Sequence, residues 1–272
     1  MKYPPLLQVL LSATLEGMNT TKTHGAVVLS LLLASGWGVG CSPGASFDAI
    51  AVSDSVERAA LQSSTDCATP RGVSGRPATI EDVVALVNSL PKPVTVRCFL
   101  ESLERPLNVA LTNSQMSGQP AAGNRSPRIF ILNEKLYMSV VPEGRGRDYL
   151  ELSYQTSTTT SIKAEIEFPV MQPIAKSRPY SNVRFGSGTN CSSCHRAEKQ
   201  VGTIEDVPLF ESWAYQPDKE TLVDLQQLKN ELKVCNFDKE PERCGIIRAL
   251  MNNGEIRTQA FPKSMYFNFS VW

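Results

Sequence analysis

The sequence predicts an α+β chain: an antiparallel β-sandwich-like region followed by a helical segment. Three observations predict it. Apolar residues between positions 94 and 168 recur mostly at a period of two. No helix-length pattern interrupts them. After Pro173 the period changes, and leucines recur at three and four residues.

Taken in order, the first element is a helix over Ile80 to Leu90. Thr79 caps it, Asp82 stands three residues later as in a capping box, and Pro91 stops it. Val94, Val96 and Cys98 then alternate with Thr95, Arg97 and Phe99, which reads as a strand. Leu107 to Thr112 is another. Arg128 to Leu132 and Leu136 to Val141 flank Asn133, Glu134 and Lys135, the pattern of a hairpin. Tyr149 to Gln155 follows Gly144 and Gly146. The clearest strand places Ile162, Ala164, Ile166 and Phe168 inward, with Lys163, Glu165 and Glu167 outward. A half-solvated sheet accounts for a charge at every second position. Beyond Pro173, Leu222, Leu225, Leu228 and Leu232 mark a helix from about Lys219 to Val234. Pro241 suits the first position of a second helix to about Asn252, with Gly254 just past its end.

The N-terminal segment reads as a targeting signal over residues 1–40. Ala26 to Leu33 is a short apolar run preceded by Lys22 and followed by small residues. It is shorter than the roughly 20 apolar residues of a membrane span. The rival reading is an ordinary buried helix. Translation from Met18 would place Lys22 in a short basic leader. Gly38, Val39, Gly40 and Cys41 resemble the bacterial lipoprotein signal. That resemblance implies lipidation of Cys41, and Ser42 in the next position implies the outer membrane. The alternative is cleavage nearby with Cys41 a free thiol. A lipid would tether a folded domain to a membrane surface. Residues 41–77, rich in Ser, Ala, Gly and Pro, then form a flexible tether. A β-rich domain over 78–175 and a helical region over 176–272 complete the expected organisation.

Charge narrows the partners. The chain holds 27 basic and 27 acidic residues. Two basic and one acidic lie in the first 40, leaving 25 and 26. A nucleic-acid binder would carry a basic excess, so that class is disfavoured.

The chemistry lies in Cys191, Ser192, Ser193, Cys194 and His195. This is the spacing of covalent haem c attachment. Two thiols add across two vinyl groups of one porphyrin, and the adjacent imidazole becomes the axial ligand of the iron. On these five residues the chain resembles c-type cytochromes. Their family implies one haem c per chain, held by Cys191 and Cys194 with His195 on the metal. A zinc site would want four Cys or His ligands. The chain has only His24 and His195, and the other cysteines lack zinc-like spacing. A thioredoxin-like pair would need a βαβ context, which is missing. An ordinary cysteine pair is the remaining alternative.

With Cys41 lipidated and two cysteines on haem, four of the seven remain. Proximity pairs Cys235 with Cys244 and Cys67 with Cys98, although connectivity cannot be read from sequence. Export permits both bridges. No second mature histidine exists for the sixth iron position. Met265, in an irregular segment after Pro262, is the first choice, Met251 is the alternative, and a vacant or water-filled position is the third. Arg178, Arg184, Arg196 and Lys199 are candidates for the haem propionates, or else an ordinary solvated basic surface. Trp213 is a candidate donor to a propionate, or else a core aromatic.

These readings lead to an exported mono-haem electron carrier more readily than to an enzyme, docking a redox partner protein in the bacterial envelope. The alternative is an envelope lipoprotein whose β-rich domain binds a partner or ligand, with haem as sensor or prop.

Overall fold

The computed structural model describes residues 67–267. The targeting segment and Cys41 lie outside the described residues. The fold is α+β, with one large mixed sheet and a few helices. Helix α1 spans Ile80–Ser89, and its capping box forms as expected. The Thr79 hydroxyl accepts from the Asp82 N–H at 3.1 Å, and an Asp82 carboxylate oxygen accepts from the Thr79 N–H at 3.0 Å.

The stretch expected as a first strand is instead helix α2, Val96–Ser102. The Thr95 hydroxyl accepts from the Cys98 N–H at 3.1 Å and caps it. Every second residue is apolar there because the short helix is buried nearly all round, including Arg97 and Phe99. Period two is therefore a false sign of strand at this point.

Five strands follow as an antiparallel meander: β1 (Leu107–Thr112), β2 (Arg128–Asn133), β3 (Leu136–Val140), β4 (Tyr149–Gln155) and β5 (Thr160–Glu167). The hairpin at 133–135 forms, with Glu134 at φ 47°. After β5 come the short helix α3 (Arg178–Asn182), β6 (Arg184–Phe185) and β7 (Gly188–Thr189). The hairpin strands β8 (Lys199–Ile204) and β9 (Val207–Trp213) come next. The rest is β10 (Tyr215–Gln216), α4 (Leu225–Lys233), α5 (Pro241–Asn252), β11 (Ile256–Thr258) and β12 (Tyr266–Phe267).

The eight-stranded sheet has the order β11-β1-β2-β3-β4-β5-β9-β8, antiparallel except for β11 against β1. Among the described residues it is one large sheet, without the opposing sheet of a sandwich. It also runs across the boundary expected at residue 175, since β8, β9 and β11 join strands of the meander. Helices take the place of the second sheet. Ile129, Ile131, Met138, Leu150, Leu152, Ala164 and Ile166 share one core with Leu86 of α1, Phe99 of α2, Leu228 of α4 and Ile247 of α5.

The expected helix from Lys219 begins later. Lys219–Thr221 is a single 3₁₀ turn, and Leu222 stays extended and exposed, bridged to Thr112. Asp224 then starts α4 by accepting from the Gln226 N–H at 2.7 Å. A nearby N-cap overrides the leucine spacing. Among the described residues no helix is long and apolar enough to cross a membrane.

Both expected disulfides form. Cys67–Cys98 anchors the start of the described chain to α2, and Cys235–Cys244 ties the end of α4 to α5. They span 31 and 9 residues. Chain entropy makes the longer closure worth about 4 kcal/mol and the shorter about 3. Replacing Cys67 and Cys98 together by alanine should therefore lower unfolding free energy in urea more than replacing Cys235 and Cys244. Equal losses would show that loop length does not govern the two bridges.

Candidate haem-attachment site

The motif does not sit on a long helix. Asn190–Ser193 forms one 3₁₀ turn between β7 and β8. The Cys194 and His195 N–H groups both donate to the Cys191 carbonyl, at 3.1 and 2.8 Å. The Ser192 hydroxyl donates to the Thr189 carbonyl, and the Ser193 hydroxyl to that of Asn190, at 2.8 and 2.9 Å. Glu198 closes the loop from the far side. Its carboxylate accepts from the Thr189 N–H at 2.9 Å and from the Thr189 hydroxyl.

Strand β9 fixes the histidine. It pairs with β5, with Trp213 opposite Thr160. The Trp213 N–H donates to the Arg196 carbonyl at 2.9 Å. The Trp213 carbonyl lies 2.7 Å from His195 Nδ1. A carbonyl only accepts, so Nδ1 carries the proton and Nε2 keeps its lone pair. Burial, followed by the nearby Lys163 charge, pushes the His195 pKa down to about 3, so the ring is neutral. A neutral imidazole with Nδ1 bound to a backbone carbonyl is the tautomer that a metal ligand at Nε2 requires.

Cys191 and Cys194 remain thiols, and burial raises the Cys191 pKa to about 11. A redox-active pair needs a stabilised thiolate, so this environment disfavours disulfide exchange. Cys235, Glu240 and Cys244 also cluster, but the disulfide takes both of those sulfurs from any metal.

Cys191, Cys194 and His195 all line a cavity of about 330 Å³. Its floor is the sheet face that the alternating pattern assigned to solvent. Arg128 and Phe130 of β2, Tyr137 and Ser139 of β3, Glu151 and Ser153 of β4, and Lys163 and Glu165 of β5 all line it. Phe261 and Met265 complete the wall. Sequence reasoning missed these residues because alternation defines a face without saying what covers it. Phe130 and Tyr137 were the available signal: two aromatics on a face supposedly given to water.

The floor is charged but largely paired. Arg128 donates to Glu151 at 2.6 Å and to Ser139, and its guanidinium stacks 4.6 Å from the Phe130 ring centroid. Glu165 stands opposite Glu151 in the β4–β5 register. Burial, then the charges of Glu151 and Glu167, raise the Glu165 pKa to about 7. Burial lowers that of Lys163 to about 8.

The two methionine candidates separate. Met265 is buried and lines the cavity beside Phe261. Met251 packs half-buried against the main core at the end of α5, away from the cavity lining. The cavity lining also excludes Arg178, Arg184, Arg196 and Lys199. Arg184 stacks over Phe210 at 4.6 Å, and Lys199 pairs with Glu211 at 3.3 Å. Trp213 contributes its backbone to the site, through the carbonyl that holds His195.

No protein-family model, curated protein or solved structure matches this chain.

The Glu165 shift has a thermodynamic consequence. Its folded pKa lies above the ordinary carboxylate value, so the native state binds the proton more tightly than the unfolded chain. The stabilisation is full below about pH 4.5 and is lost as pH rises through about 7. Glu165→Gln should flatten the pH dependence of unfolding free energy across that window, by roughly 1–3 kcal/mol. Urea titrations at pH 4.5 and 7.5 measure it, and an unchanged slope would show that Glu165 is not the titrating group.

Proposed function

We propose that the chain is an exported mono-haem c protein working in electron transfer, with Cys191 and Cys194 bonded to the porphyrin and His195 as axial ligand. The observation that carries this reading is the His195 bond to the Trp213 carbonyl, which leaves Nε2 as the coordinating nitrogen in a cavity shared with both thiols. The donor set fits the group: two thiols, one oriented neutral imidazole and a buried thioether at Met265. The cavity is also amphipathic, with Phe130 and Phe261 for a flat apolar ring and Arg128 for a carboxylate. When bound, haem supplies a reversible one-electron iron couple.

The chain's own residues do the rest. Glu198 and Trp213 hold the attachment loop from its two sides. Phe261 packs edge to face against Phe130 and Tyr137 along one side of the cavity. Met265, buried in the cavity wall, would offer its thioether to the iron, a donor that raises the potential. The lipoprotein reading of Cys41 extends this to a carrier tethered on the periplasmic side of the outer membrane and serving a redox partner protein.

A second reading has its own support. Glu165 is shifted toward its neutral form inside the cavity, the mark of a site that handles protons or a ligand. Haem would then sense or bind a small molecule.

Protein made in a host with a cytochrome c maturation system should retain one haem after denaturation, by mass and by pyridine haemochrome spectrum. A haem-free product from that host would overturn the attachment. In the haem-bearing protein, Met265→Ala should remove the weak red absorption band of a Met–iron bond, admit CO and lower the potential. Met251→Ala should keep the band and cost roughly 2–4 kcal/mol of stability instead. Ready CO binding by the unaltered protein would favour the sensing reading over the carrier.

A further inference from the structure

We infer that Lys163 is a positioning residue that sets the reduction potential, by placing a fixed positive charge on the carbonyl that orients His195. The inference rests on the haem reading above. It concerns a residue that the attachment motif does not contain.

The geometry comes from three neighbouring strands. Lys163 lies on β5, beside the segment that pairs with β9. Its Nζ lies 3.5 Å from the Trp213 carbonyl oxygen, the same atom that accepts from His195 Nδ1 at 2.7 Å. The Nζ also donates to the Ser161 hydroxyl and approaches the Ser161 carbonyl at 3.4 Å. Ser161 is itself fixed by the Ser153 hydroxyl, which donates to it at 2.9 Å. The ammonium therefore has a built seat beneath the attachment loop.

Two effects follow, and both act in one direction. An acceptor already polarised by a cation takes less electron density from the imidazole N–H. The ring then keeps less imidazolate character and is a weaker donor to a ferric ion. The ammonium charge also opposes the extra positive charge of the oxidised metal through a poorly screened interior. The couple is Fe(III) plus one electron to Fe(II), with no proton or bond change required of Lys163. Each effect favours the reduced state, so each raises the potential. The charges facing Lys163 are Glu151 on β4, Glu198 on the motif loop and Glu211 on β9, and the Cys191 thiol faces it too. Thioether formation would remove the last of these as an anion.

The test uses the haem-bearing full chain and three variants. Lys163→Met removes both charge and hydrogen bonds. Lys163→Gln keeps a donor for Ser161 and Trp213 without the charge, and it carries the test if the Met variant does not assemble. Lys163→Arg keeps the charge. Spectroelectrochemical titration at neutral pH should show the Met and Gln variants shifted about tenfold toward the oxidised form at a given poise, close to 59 mV downward for a one-electron couple. The Arg variant should stay near the unaltered protein. Unfolding curves measured alongside separate this from a packing defect, which would lower stability without ordering the potentials by charge. Haem-bearing Met or Gln variants at the unaltered potential would overturn the inference and leave haem attachment standing. A chain that takes no haem at all would instead remove the reading on which it rests.

Discussion

The carbonyl of Trp213 is the atom through which the sheet holds the Cys191–His195 loop. Trp213 is placed by β5, since its strand pairs with Thr160, Ser161 and Ile162. Its N–H is committed to Arg196 and its carbonyl to His195, so the backbone of one residue grips the loop twice. In a helix-borne attachment site the helix would set the direction of the histidine. Here the motif is a single 3₁₀ turn of four residues, too short to orient anything alone. Long-range strand pairing supplies the missing rigidity. A defect in the β5–β9 contact would therefore loosen the ligand even though no motif residue changes.

The same sheet solves two problems with its two faces. One face is aliphatic and meets four helices in a continuous core. The other carries Arg128, Glu151, Lys163 and Glu165 between aromatic residues, and the motif loop roofs it. Charges in such a place are tolerable only where paired or hydrogen-bonded. Arg128 has Glu151 and two serines, and Lys163 has Ser161 and the Trp213 carbonyl. Glu165 is partly buried beside the charges of Glu151 and Glu167 and responds by holding its proton to higher pH. A purely apolar cofactor would waste this floor, and a purely polar one would waste Phe130 and Phe261. The proposed haem, an aromatic ring with carboxylate arms, would meet both halves.

Local chemistry was legible in the sequence and long-range coverage was not. The Thr79–Asp82 capping box, the 133–135 turn, the Pro241 start of α5 and both disulfide pairings follow from neighbours within a few residues or from proximity along the chain. The errors share one cause. Val94 to Phe99 alternates like a strand, yet only Val94 forms a β-bridge, and the Thr95 cap and burial nearly all round make a helix from Val96. The leucine row from 222 continues a helical spacing, yet Asp224 starts the helix three residues in. Lys163 and Glu165 were assigned to water because nothing in β5 announces that residues 190–195 return over it. A period reports which side of an element is alike, and the partner of the other side comes from elsewhere in the chain.

The two expected iron ligands show how that distant partner is chosen. His195 hangs from the Trp213 carbonyl, and the chain continues from there into β10. Strand β10 pairs in parallel with β12, and the Gln216 amide donates to the Met265 carbonyl at 2.8 Å. Residues 213–216 therefore position both the histidine and the methionine, although the two lie 70 residues apart in sequence. Met251 has no such link: it belongs to α5, whose place is fixed by the core and by the Cys235–Cys244 bridge. A single short backbone segment thus links the two side chains at one cavity. In the proposed electron carrier, that link would limit the reorganisation of the two donors when the charge of the group between them changes.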